Sequence, residues 1–170
     1  NCALNIKALG AKPILCSVLG KDIHGHQFQQ LMKDANLCEK GIILSDETKT
    51  TVKTRVISEG KQQIRIDEED TNPLQVDEEF LKNILPLLEN IDVVILQDYN
   101  KGVLTKKIIS EVISEAKNRR IPTIVDPKKD NFLEYKDCDI FKPNLKEIKE
   151  GMQLEFNEKI DSELESATHK

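Results

Sequence analysis

Three stretches of the chain share one pattern: a short apolar run followed at its carboxyl end by a cluster of polar groups. In Ile91–Thr105, IDVVILQDYNKGVLT, the run Val93–Leu96 begins with β-branched residues and is too brief for a helix. It is expected to be a strand buried on both faces. Asp98, Asn100 and Lys101 follow it; Gly102 then permits a tight turn, and Thr105 stands where it can cap a helix from Lys106 to about Asn118. The pattern recurs in IPTIVDPKKD (Ile121–Asp130) and in CDIFKPNLKE (Cys138–Glu147). Ligands of open α/β sheets bind outside the carboxyl ends of the strands. Asp98, Lys101, Asp126, Lys128, Asn144 and Glu147 are therefore expected to converge on one crevice.

Upstream, Cys2, Ala3, Ile6 and Leu9 recur at helical spacing and Gly10 reads as a stop. PILCSVLG (Pro13–Gly20) reads as a strand, and Asp22 as the cap of a helix over Gln27–Asn36. From Gly41–Leu44 onward the character changes. Thr50–Ile57 and Gln62–Asp67 alternate apolar with long polar residues about Glu59-Gly60, the mark of an antiparallel hairpin with one wet face. Such a hairpin, spanning 50–67, would project from a parallel core as a lid or interaction flap. Lys53, Arg55, Gln63 and Arg65 lie on it, and by residue type alone they would simply solvate an exposed face. Glu68–Asn72 is an acidic turn. Val76–Leu88 is expected to be a helix with Phe80, Ile84, Leu87 and Leu88 toward the sheet, limited or kinked by Pro86. Phe156–Lys170, weakly periodic, is expected to be helical. The fold class expected is α/β, a mostly parallel sheet flanked by helices with a small antiparallel β lid.

Composition narrows the partners. A chain of 170 residues is the size of one domain, and 38% hydrophobic with 32% charged residues suits a soluble protein with a heavily charged surface. No apolar run reaches the roughly 18 residues of a membrane span, and a net charge of -5 argues against a nucleic-acid partner. Cys2, Cys16, Cys38 and Cys138 are scattered with no C-x-x-C pair, which suits reduced thiols in a cytoplasmic protein. The chain opens at Asn1 without a methionine and reads as the inside of something longer. His24 and His26, two apart, would diverge on a helix, Ser17 and Ser45 have no visible base, and the glycines form neither a Walker nor a Rossmann loop. What remains is the strand-end set. Its alternating carboxylates and lysines suit an anionic, metal-bridged ligand such as a phosphorylated sugar or a nucleotide, although each residue taken singly also suits a cap or a surface position.

Several segments carry a resemblance. NCALNIKALGAK resembles the tail of the GG-x-x-N-x-A-x-x-L-x-x-LG segment of the ribokinase-like (PfkB) carbohydrate kinases, and GKDIHG is similar to that family's G-x-D-x-x-G. TTVKTRVISEGKQQIRIDEED, LQDYNKGVLT and VDPKKDNFLEYKDCDIFKPNLKE together resemble its heptose-7-phosphate kinase branch. The resemblance implies a partial ribokinase-like kinase domain over residues 1–170 that transfers the γ-phosphate of ATP, with Mg²⁺, to O1 of a heptose 7-phosphate. It implies sugar contacts for Asn1, Asp98 and Lys101, a substrate role for Asp126, and the distal phosphate for Lys128. Asn144 and Glu147 match N-x-x-E, which serves the nucleotide phosphates and Mg²⁺. The hairpin with Lys53 and Arg65 would be a lid over the sugar, a lid that in the family often pairs with a second subunit's to make a homodimer. The family's G-A-G-D loop, which holds the catalytic base, is not in the sequence, so the base is expected beyond Lys170. Two alternatives stay open: another PfkB kinase acting on a different sugar or a nucleoside, and a non-catalytic module for sugar-phosphate binding or dimerisation.

Overall fold

The computed structural model describes residues 1–70, 72 and 74–153, so the helix expected over Phe156–Lys170 lies outside the described residues. The chain forms two compact units. The first comprises Asn1–Leu87 with Lys101–Val103, and the second comprises Leu88–Asn100 and the chain from Leu104 onward.

In the first unit, helix α1 (Cys2–Ala8) leads into strand β1 (Ile14–Gly20), helix α2 (Ile23–Asp34) and strand β2 (Cys38–Ser45). β1 and β2 pair in parallel, so Gly41–Leu44 belongs to a parallel pair and not to the antiparallel stretch that follows it. α2 begins at Ile23, four residues before the expected start, because Asp22 caps it there. One Asp22 oxygen accepts from the Gly25 N–H at 2.7 Å and the other from the Thr50 N–H at 2.8 Å. Gly25 is obligatory at this corner, since a Cβ there would stand 2.1 Å from the Gly20 carbonyl oxygen. The G-x-D-x-x-G segment is thus a turn in which a carboxylate joins a helix start to the chain 28 residues on. Val18, Leu19, Met32, Ile43, Phe80 and Leu81 are buried in this unit. Helix α3 (Asp77–Ile84) ends where Leu85–Asn90 tightens to a 3-10 turn around Pro86, as the missing proline N–H requires.

Strands β3 (Val52–Ser58) and β4 (Lys61–Glu68) form a separate antiparallel hairpin. Glu59 and Gly60 both adopt positive φ, 51° and 73°, the two-residue turn whose twist matches that of the strands. The expectation of a single wet face is corrected: the alternation does sort the side chains onto two faces, but Val56, Ile64 and Ile66 on the apolar one are 44–55% exposed. Patterning segregates side chains; only a covering element buries them.

The second unit is a three-stranded parallel sheet in the order β5 (Val94–Gln97), β6 (Thr123–Asp126), β7 (Ile140–Phe141). Helix α4 (Lys106–Asn118) connects β5 to β6, and Thr105 caps it by accepting from the Ile108 N–H at 3.3 Å. Ile108, Ile109, Val112, Ile113 and Ala116 are all but fully buried, and Val125 lies wholly inside. Helix α5 (Leu145–Met152) closes the described chain. The expectation of burial on both faces is corrected: β6 buries Thr123 and Val125 on one face while Ile124 and Asp126 on the other are half-buried, and Val93, Ile95, Ile140 and Phe141 are 38–52% exposed. Among the described residues β5 and β7 are the edges of this sheet, each paired on one side only. No helix among the described residues is long and apolar enough to cross a membrane.

Candidate active site

The strand ends of the second unit bring their polar residues together. Asp98, directly after β5, is 1% exposed, and its carboxylate is fully engaged. One oxygen accepts from the Asn100 N–H at 2.7 Å, and the other accepts from the Asn131 amide at 3.0 Å and the Tyr135 hydroxyl at 2.7 Å. Asn131 also donates to the Leu104 carbonyl at 2.8 Å. A buried acceptor that receives three donors is a hub, and here it fixes the loop after β5. Burial and the neighbouring Asp98 push the Tyr135 phenol well above its ordinary range, so it remains a donor.

Asp126 closes β6 and accepts from the Lys142 ammonium at 2.9 Å and from the Gln97 side-chain amide. Burial works to raise its carboxyl, but Lys142 and Gln97 outweigh that and hold it below the usual range. Lys128, two residues on, pairs with Glu147 at the start of α5. Glu147 is buried, and with Asn144 it forms a reciprocal capping box. The Asn144 N–H donates to the Glu147 carboxylate at 2.8 Å, and the Glu147 N–H to the Asn144 side-chain oxygen at 2.9 Å. Burial tends to raise the Glu147 carboxyl; the Lys128 ammonium and the Asn144 N–H overcome it and lower it. Lys128 is raised in turn, first by its hydrogen bond to Glu147, against its own desolvation, and further by the charges of Asp126 and Asp98.

Five of the six expected strand-end residues, Asp98, Asp126, Lys128, Asn144 and Glu147, therefore form one neighbourhood. Lys101 does not join it. Asn100 and Gly102 take positive φ, 51° and 77°, and the Lys101–Val103 segment turns into the first unit. There the Lys101 ammonium pairs with Glu69 at 2.5 Å. Glu69 also holds Lys53 at 3.0 Å, Lys53 reaches Asp67 at 3.4 Å, and Arg65 grips Asp67 at 2.7 Å. Asn1 is exposed at the head of α1, and its side chain makes no capping bond.

Sequence reasoning passed over Gln97, Asn131, Tyr135, Lys142 and Glu69. Lys142 lies inside the FKPNLKE segment and was there to be read. Tyr135 gives no local signal, because its partner is 37 residues away.

As a metal ligand Glu147 supplies one buried carboxylate, and among the described residues no group of three or more acid, histidine or cysteine side chains could hold a metal ion. This donor set fits Mg²⁺, which keeps water and phosphate oxygens as most of its ligands and takes one or two carboxylates from a protein. The four cysteines are free, and burial, with Cys38 nearby, pushes the Cys16 thiol up to about 11, far from a reactive thiolate.

All 170 residues match the family described as pfkB family carbohydrate kinase. A curated relative named bifunctional protein HldE, from Campylobacter curvus, is 33% identical over 162 residues, covering 95% of this chain and 34% of the relative. One of the same name from Wolinella succinogenes is 34% identical over 160 residues, covering 93% and 34%. The chain spans about a third of the length of the curated relatives it matches. Among solved structures, Arabidopsis thaliana ribokinase complexed with ribose and ATP aligns with a TM-score of 0.67 at 18% identity, over 98% of this chain and 55% of that one. The tetrameric inhibited form of phosphofructokinase-2 from Escherichia coli aligns with a TM-score of 0.69 at 19% identity, over 98% and 55%. At these identities the structural likeness is one of fold.

Proposed function

The chain belongs to the pfkB family of carbohydrate kinases, and from that premise we propose that the protein carrying it transfers the γ-phosphoryl group of ATP to O1 of a heptose 7-phosphate. The observation that carries this reading is the strand-end neighbourhood of the second unit, in which the ion pairs Lys128–Glu147 and Lys142–Asp126 stand beside the Asn144 cap at the start of α5. Lys128 and the amino terminus of α5 suit the phosphates of the nucleotide by charge. Glu147, whose two oxygens are held by Lys128 and the Asn144 N–H, would meet a Mg²⁺ arriving with them once Lys128 turns to the phosphates, and the ion would neutralise charge across them. Asp98, with both oxygens engaged, acts on the site through the loop it fixes. Asn1, Lys53, Arg65 and Lys101 suit the sugar phosphate, the hairpin suits a lid over the sugar, and its exposed Val56, Ile64 and Ile66 suit pairing with a second copy. Phosphoryl transfer depends mainly on positioning and charge stabilisation, which is the work this set of residues is suited to.

Heptose as the acceptor rests on the likeness of the hairpin and of the VDPKKD and FKPNLKE segments to the heptose-7-phosphate kinase branch, and on the relatives named HldE. An ADP-release assay on the protein expressed from its complete reading frame tests it. The panel is a heptose 7-phosphate, the same heptose unphosphorylated, fructose 6-phosphate and a nucleoside. The heptose 7-phosphate should exceed the others by about 100-fold or more in kcat/KM. A faster nucleoside or fructose 6-phosphate would overturn the acceptor, and absence of turnover with every acceptor would leave a non-catalytic binding module.

A further inference from the structure

The polar face of the hairpin gathers positive charge in a chain whose net charge is -5. Residues two apart in a strand share a face, and the register sets Lys53 opposite Asp67 and Arg55 opposite Arg65 there. Two like charges directly across a strand pair are destabilising unless an anion compensates them. Asp67 compensates Arg65; the Arg55 side chain makes no hydrogen bond or ion pair among the described residues.

At the foot of the same hairpin, one carboxylate serves two ammonium groups. Glu69 Oε1 takes Lys101 at 2.5 Å and its Oε2 takes Lys53 at 3.0 Å. The three side chains are 23–35% exposed, so a solute can reach them without unfolding. Lys101 is not brought there by its own flexibility. The Leu74 N–H donates to the Gly102 carbonyl at 3.2 Å, and Gly102 lies so close to the Asn72 carbonyl that a Cβ would stand 2.0 Å from its oxygen. The backbone therefore sets where the Lys101 side chain starts, and Glu69 holds the two ammonium groups across the pair of oxygens of a small anion.

We propose that Lys53 and Lys101 form a binding site for a phosphomonoester, the phosphorylated end of the sugar substrate, and that Glu69 is its internal stand-in, displaced when that phosphate binds. This rests on the reading that the acceptor is a sugar phosphate. A phosphate brings nearly twice the charge of a carboxylate and three acceptor oxygens, enough to engage both lysines and Arg55 beside them. An unphosphorylated sugar has no means of displacing Glu69, so the site discriminates by charge.

Isothermal titration of the protein from its complete reading frame tests this with three probes: a heptose 7-phosphate, the same heptose without phosphate, and inorganic phosphate. Glu69→Gln should bind both phosphorylated probes about three- to ten-fold more tightly than wild type and the plain heptose equally. Lys101→Met should weaken only the phosphorylated probes, by about ten-fold or more. A Glu69→Gln protein that binds the phosphorylated probes no tighter, or tightens both heptoses alike, overturns the proposal. Should Glu69→Gln fail to fold, Lys101→Met decides: retention of the wild-type preference for the phosphorylated heptose overturns it, and loss of that preference supports it. Glu69-dependent binding of inorganic phosphate without turnover of any sugar phosphate would uphold this site and overturn the function; turnover indifferent to Glu69 would do the reverse.

Discussion

At Gly102 the backbone demand is visible in one residue. Its φ of 77° costs any L side chain, and a Cβ would also strike the Asn72 carbonyl. Gly60 shares the positive φ, 73°, but faces open space. Gly60→Ala should therefore cost about 1 kcal/mol and Gly102→Ala about 3 kcal/mol, read by urea unfolding followed by circular dichroism. Glu147 makes a pH prediction. Its carboxyl titrates lower in the folded than in the unfolded chain, so the ionised form favours folding. That contribution is complete above the ordinary glutamate range and is lost as the pH falls through the folded-state value. Between about pH 6 and pH 3, the melting temperature of wild type should fall more steeply than that of Glu147→Gln. Much of this was legible in the sequence, since Asn144 and Glu147 sit at capping-box spacing and Asp126 and Lys128 close a strand. The displacement of Lys101 was not, because the sequence shows that Gly102 can turn the chain but not which way the turn points. Nor was Tyr135, whose role comes only from the folded proximity of Asp98.

Helix α4 is the element on which sequence and structure agree most closely, from the Thr105 cap to the end at Asn118. Ile109 is wholly buried, so Ile109→Ala should cost about 3 kcal/mol, seen as a lower urea midpoint. The hairpin is the opposite case. Its turn and register follow from Glu59-Gly60 and the period-two alternation, yet alternation does not reveal whether anything covers the apolar face, and within this chain Ile64 and Ile66 stay about half exposed. If that face meets a second copy, Ile64→Lys should leave the melting temperature within a degree or two and shift sedimentation equilibrium toward the monomer; an unchanged oligomeric state would remove the hairpin from any interface. The short edge strands β5 and β7 were foreseen as strands but not as edges, because strand order follows from tertiary pairing and not from local pattern.

For the molecule as a whole, the fold class was readable from the alternation of short apolar runs with helical periodicity, and the family from motifs spread along nearly its entire length. The partition into two units, with Lys101–Val103 in the first although the chain on both sides of them is in the second, was not, because it follows from tertiary contacts and not from local pattern. In the proposed function the strand-end neighbourhood of the second unit receives the nucleotide phosphates and their Mg²⁺. The most direct test is kcat/KM for Mg·ATP with saturating heptose 7-phosphate, measured for wild type and for Glu147→Gln in the protein from its complete reading frame. Glu147→Gln should lower it by about 10- to 100-fold and raise the requirement for free Mg²⁺. Wild-type kcat/KM and Mg²⁺ dependence in a folded Glu147→Gln protein would contradict this reading.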